Sequence, residues 1–183
     1  AWIEWHRIHD FWDDHPYGNN SWWPGKLHEL RRFVADRRAL PLILGECIAA
    51  DTWLDLPEWD RRGTDDASWW APLGLQAQRA FADFVELEYG AAERAALVPN
   101  SRAYALRNRK YQVERLRMTL PDAGYTLSVV RDFTTARMGF FDDFGQAKWS
   151  PDDWRWHRDT LIGLDLDGDR RLLDATPGAL RFR

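Results

Sequence analysis

A single cysteine, Cys47, stands in a chain of 183 residues. No internal disulfide can form, so a disulfide-stapled secreted scaffold is excluded and the fold must rest on its core. Long apolar runs are missing as well. A bilayer-spanning helix takes about 20 mostly apolar residues, and the longest uncharged apolar run is 39–45. There is no basic excess, since 25 Lys and Arg oppose 29 Asp and Glu for a formal net charge of −4. Nucleic-acid surfaces concentrate positive charge to neutralise phosphates, so neither nucleic acid nor membrane is an expected partner. No repeat, low-complexity tract or signal-peptide pattern is visible, and the compartment stays open. The first residue is Ala1 rather than Met, which suggests a processed or truncated chain.

Tryptophan, by contrast, is abundant, with 12 residues. Most lie in polar segments: Ser21-Trp22-Trp23, Asp51-Thr52-Trp53, Ser68-Trp69-Trp70 and Asp153-Trp154-Arg155-Trp156. Aromatic faces among hydrogen-bonding groups suit sugars, whose rings carry C–H patches with hydroxyls at the rim. Core or rim packing is the commoner use of the residue.

Alternation of apolar and turn signals gives the element order. Residues 8–12 read as a short strand, followed by a turn-rich stretch. Pro24 opens a helix in which Leu27, Leu30, Phe33 and Val34 form one stripe to about Arg38. Pro41-Leu42-Ile43-Leu44-Gly45 reads as a strand buried on both faces of a parallel sheet. Residues 47–70 are predicted to be a long polar connection, of the kind that carries function. Helices are predicted over 72–88, with Ala77, Ala80, Phe81, Phe84 and Val85 inward, and over 101–118, with Arg109 on a solvated flank. Residues 125–130 read as a third strand ending at Arg131-Asp132. Leu161 to Leu173 reads as a hairpin turning at Asp167-Gly168. The class is therefore α/β with a parallel sheet, divided into residues 1–160 and a β segment at 161–183.

Glu46 follows a buried strand directly, at the carboxyl end where parallel α/β folds build active sites; a carboxylate capping the next segment is the alternative. His15-Pro16-Tyr17 occupies the equivalent place one unit earlier. Tyr17 would donate to Glu46 and hold it ionised and oriented, or else pack on Trp22. Asp132 takes a third rim position or forms a salt bridge with Arg131 or a loop. His6, His9 and His15 with Asp10, Asp13 and Asp14 fit no zinc spacing. Asp165, Asp167 and Asp169 lack the glycine and glutamate positions of a calcium loop. No metal and no cofactor is expected, and Cys47 reads as a buried inert thiol.

His15-Pro16-Tyr17, then Trp22-Trp23-Pro24-Gly25 leading into Leu30-Arg31-Arg32-Phe33, then Pro41 to Glu46, resemble the sixth and seventh β/α units of the barrel in glycoside hydrolase family 2 and its relatives. Lys110 to Arg117, Gly124-Tyr125-Thr126-Leu127 with Asp132, then Gly139-Phe140-Phe141-Asp142 and Lys148, resemble the seventh helix, the eighth strand and the segment after that strand. The resemblance implies the C-terminal portion, about strands 6 to 8, of a (β/α)8 TIM barrel, with the start of a β-hairpin or β-domain after it. It implies a retaining β-glycosidase, β-galactosidase-like, with Glu46 as nucleophile and Tyr17 beside it. His15, Trp53, Asp132 and Trp23 would contact the β-glycoside substrate, and Leu42, Leu44, Leu127 and Val129 would face the barrel interior. Retention takes a second carboxyl group as acid/base, which in the family ends the fourth strand and has no counterpart in this sequence. A whole barrel takes about 250 residues, so the rest of the barrel and accessory β-domains are expected in a longer parent protein, this chain alone being inactive. Where the family often has an aromatic platform after the eighth strand, Arg131-Asp132-Phe133 stands here. The alternative is a non-catalytic carbohydrate-binding or scaffold module derived from such a barrel.

Overall fold

The computed structural model describes residues 10–18, 20–37, 40–62, 68–165 and 181–182. The chain is mixed α/β and forms two compact units. One comprises Ala1–Ile48, Lys110–Leu127 and Arg155–Arg183, the other Ala49–Arg109 and Ser128–Trp154.

The first unit is built on β1 (Trp12–Asp14), α1 (Trp23–Ala35), β2 (Leu42–Cys47) and β3 (Gly124–Leu127). The strands make one parallel sheet in the order β1-β2-β3, with Trp12 opposite Leu42 and Ile43 opposite Gly124. Pro24 sits in the first turn of α1, where a missing N–H costs nothing. Leu27 and Leu30 of α1, Leu42 and Leu44 of β2, and Val113 and Leu116 are buried in one core cluster, each buried side chain contributing roughly 1.5–3 kcal/mol. Leu42 and Leu44 therefore pack under helices. The other face of the sheet carries Asp13, Ile43, Gly45, Gly124 and Thr126, of which Asp13, Gly124 and Thr126 are exposed. This reverses the inward and outward sides expected for Leu42 and Leu44. The first strand is also displaced: it runs over Trp12–Asp14, while Ile8 and His9 lie outside the described residues.

The second unit holds α2 (Leu56–Arg61), α3 (Leu75–Tyr89) and the first part of α4 (Ala91–Thr119), whose last turns from Lys110 belong to the first unit. Helix α2 falls inside what reads as a bare connection. Its Asp55 cap accepts from the Glu58 N–H at 3.1 Å and Leu56 and Trp59 are buried beneath it. Arg61 and Arg62 hydrogen-bond the Glu58 carboxylate and pull its pKa down to about 2. Gly90, at φ +100°, breaks α3 from α4. Its own carbonyl then accepts from Glu93 and Arg94, so α4 restarts at once.

Helix α4 begins ten residues before the expected Ser101, running through Pro99. Pro99 is exposed, so the backbone carbonyl it leaves without a donor is open to water. On α3 the buried residues are Leu75, Ala82 and Val85, while Phe81 and Phe84 stay half-exposed. On α4, Arg109 is wholly buried rather than solvated. Its guanidinium donates to the carbonyls of Ser128 and Met138 and lies over Trp149 and Phe140 at 5.1 and 5.4 Å. Burial lowers its pKa to about 10.

Strand β3 stops at Leu127, so Asp132 follows it by a loop and does not end it. Near the C-terminus, β4 (Leu164–Asp165) pairs antiparallel with β5 (Arg181–Phe182). The expected hairpin turn at Asp167-Gly168 and the residues up to Leu173 lie outside the described residues.

Candidate functional site

Strict alternation along β2 would place Glu46 on the same side as Leu42 and Leu44, beneath the helices. The pairing register prevents this. Leu44 pairs with Tyr125, but Leu127 pairs with Cys47, so β2 carries one extra residue there. A bulge of this kind re-aims side chains and is common beside active sites. Cys47 takes the buried slot at 0% exposure, and Glu46 emerges at the strand's carboxyl end. Ile48 then has φ +53° while only 1% exposed. For a β-branched residue this is a strained backbone, costing of order 1–3 kcal/mol, and such strain gathers at functional sites.

The Tyr17 hydroxyl donates to Glu46 Oε2 at 2.8 Å, the pairing expected of two neighbouring strand ends. His15 Nδ1 lies 3.8 Å from the same oxygen. Its Nε2 is 3.1 Å from Asp13 Oδ2, and Asp13 Oδ1 accepts from the Gly45 N–H at 3.2 Å. The imidazole is thus bracketed by two carboxylates, a bond to Asp13 on one side and the Glu46 charge on the other. Asp13 is the member of this set that sequence reasoning misses. The pattern offers it only as a metal-ligand candidate, because a strand set at residues 8–12 conceals that 12–14 pair with 42–44. Among the described residues no cluster suited to a metal ion is found.

Gly45 permits this packing. A Cβ there would lie 2.6 Å from Asp13 Oδ1 and 2.9 Å from His15 Nε2. Both are ends of side chains on the exposed side, so Gly45→Ala should displace Asp13 and His15 and leave the core intact. We expect a stability loss of about 1 kcal/mol or less with clear loss of whatever activity the site has, read by thermal melting beside an activity assay. A melt lowered as far as for a core truncation would contradict this.

Cys47 neighbours Glu46 in sequence but is chemically set apart. Its thiol donates to the Thr126 carbonyl at 3.3 Å, and burial pushes its pKa up to about 12. A disulfide reagent at mildly alkaline pH should label it only after unfolding. Because the folded value exceeds the ordinary 9.0, the native state keeps a proton that the unfolded chain releases. Its contribution is intact below pH 9.0 and is lost as pH rises from there to about 12. Denaturant titrations of wild type and Cys47→Ala across that range should show the steeper decline in wild type. Equal slopes would contradict it.

Trp23 is 1% exposed in the core of the first unit, its Nε1 donating to the Gln112 carbonyl at 3.0 Å, so it offers no face to a substrate. The Trp22-Trp23-Pro24 start of α1 turns one of the two inward. Asp132 belongs to the second unit and is buried. Lys148 Nζ and the Gly139 N–H donate to its Oδ1 at 2.7 and 2.8 Å, which is the ion-pair alternative with Lys148, not Arg131, as partner. Trp53 is also in the second unit, packed on Phe81 at a ring separation of 5.3 Å. A scan against protein-family models and searches of curated proteins and of solved structures find no match to this chain.

Proposed function

We propose that the chain is the nucleophile-bearing part of a retaining β-glycosidase of the glycoside hydrolase family 2 type, with its sheet corresponding to strands 6 to 8 of a (β/α)8 barrel. One observation carries the reading: a bulge turns Glu46 out of the helix-covered face at the end of a parallel strand, where Tyr17 donates to it at 2.8 Å. A nucleophile must be ionised, fixed and open on one oxygen. The hydroxyl donor on Oε2 fixes the carboxylate's orientation and leaves Oε1 to attack an anomeric carbon. The sugar's leaving oxygen would take its proton from a second carboxyl group about 5–5.5 Å away, supplied by a part of the parent protein outside this chain. The order β1-α1-β2, with β3 after the last turns of α4, supports the barrel correspondence, since three successive parallel strands lie side by side in chain order.

The test is the anomeric form of the first product. With aryl β-glycosides as substrates and the full-length protein as catalyst, proton NMR should show the β-anomer of the released sugar appearing first and mutarotating later. First appearance of the α-anomer would contradict the mechanism. A non-catalytic carbohydrate-binding module is the second reading, favoured by half-exposed aromatic rings on α3.

A further inference from the structure

The second unit contains a groove of about 590 Å³ between α3 and α4, floored by Trp53, Val85 and Leu97. That volume lies within the range of small-ligand sites. Glu93, Leu97, Asn100 and Tyr104 recur along one face of α4 at intervals of three and four, spanning about 16 Å of helix. Tyr89 and Tyr104 line the walls at 67% and 66% exposure. With Trp53 they give the groove three aromatic rings. Aromatic rings spaced along a groove of that length fit a ligand that is a chain of small ring-shaped units.

The polar groups narrow the chemistry. Among the described residues, no side-chain hydrogen bond or ion pair engages Glu93 or Asn100. Among the described residues no cation lines the groove, and the nearby Arg94 is held by Asp83 and Glu86 at 2.6 and 2.8 Å. An anionic ligand would therefore meet only Glu93. A lipid tail has no donor for Glu93 or Asn100. A proline-rich peptide, the other ligand that aromatic grooves take, presents mainly carbonyl acceptors, and a carboxylate can only accept. Sugar hydroxyls donate and accept, so they satisfy Glu93, the Asn100 amide and both tyrosine hydroxyls while the ring C–H face lies on aromatic carbon.

We infer that this groove is a binding site for a linear, neutral oligosaccharide. It is independent of the hydrolase reading, because none of its lining residues belongs to the unit that holds Glu46. Its use is to hold a glycan chain by its units, whether or not that chain is cut.

The test is titration of the protein with cellotetraose, β-1,4-mannotetraose and β-1,4-galactotetraose, followed by calorimetry and by NMR shifts of the Trp53 indole and Asn100 amide. At least one tetrasaccharide should bind and shift both signals. Tyr104→Ala and Asn100→Ala, at exposed positions that leave the fold intact, should each weaken binding about tenfold. No binding up to about 10 mM, binding unchanged in both groove variants, or shifts at these signals caused by a polyproline decapeptide and by none of the sugars would overturn the inference. Shifts confined to Tyr17 and Glu46 would also overturn it while leaving the hydrolase reading in place. Sugar binding at the groove by a protein without glycosidase activity would leave this inference standing alone.

Discussion

Glu46→Gln in the full-length protein should lower kcat on aryl β-glycosides by about 10⁴-fold or more, close to 5.5 kcal/mol of transition-state stabilisation, with substrate binding retained. The substitution keeps the size of the side chain, and its amide oxygen can still accept from Tyr17 in place of the 2.8 Å bond to the carboxylate. Only the negative charge and the nucleophilic oxygen are lost. Tyr17→Phe removes one hydrogen bond to a charged group, about 1.5–3 kcal/mol, and should cost about 10- to 150-fold. The difference between the two variants separates a nucleophile from the group that orients it. Equal losses would reduce Glu46 to a binding carboxylate, and wild-type rates in Glu46→Gln would remove it from the chemistry.

The largest expected effect on stability lies in the second unit. Lys148 and Asp132 have side chains 2% and 3% exposed and 2.7 Å apart, and Lys148 donates as well to Thr52 Oγ1 and the Arg137 carbonyl at 2.7 and 2.8 Å. Burial pulls the lysine's pKa down, and the carboxylate beside it opposes that shift. Removing one member of such a pair leaves a buried charge alone, which costs about 3–5 kcal/mol. Lys148→Met should therefore lower the melting temperature by about 6 to 20 °C in a chain of this size. Adding Asp132→Asn removes the stranded charge and keeps an acceptor for the Gly139 N–H, so the double variant should recover most of the loss. A single variant as stable as wild type, or a double variant worse than the single, would show that the pair does not act as a unit.

Strong periodicity carries the sequence reading where it succeeds. The Leu27 and Leu30 stripe buries as its pattern predicts, whereas the apolar run into Gly45 forms its parallel strand but buries only its Leu42 and Leu44 face, with Ile43 and Gly45 partly exposed. The Tyr17–Glu46 contact is legible for the same reason, since Tyr17 follows β1, Glu46 lies near the end of β2, and the two strands pair in parallel. Helix α2 escapes the reading although its signals are present. Asp55 three residues before Glu58, with Pro57 in the first turn, is a capping pattern, but a single helical turn and a half gives only Leu56 and Trp59 as an apolar stripe. Pro99 leads in the opposite direction, suggesting a stop where the exposed side of α4 tolerates it.

Burial of charge is the least readable feature. Arg109 sits in an arginine-rich stretch, and only the rings of Phe140, Trp149 and Trp154, 31 to 45 positions later in sequence, make its burial tolerable. The bulge at Glu46 is equally hidden, because strand alternation in one sequence cannot show where a partner strand skips a residue. That bulge decides which face of the sheet the carboxylate takes.

The most direct measurement is covalent capture. The full-length protein, treated with a 2-deoxy-2-fluoroglycosyl fluoride matched to the aryl β-glycoside it turns over, should lose activity as one equivalent of sugar attaches. Peptide mass spectrometry should place that label on Glu46. A label on any other residue of an inactivated protein, or undiminished labelling of Glu46→Gln, would contradict the assignment of Glu46 as nucleophile.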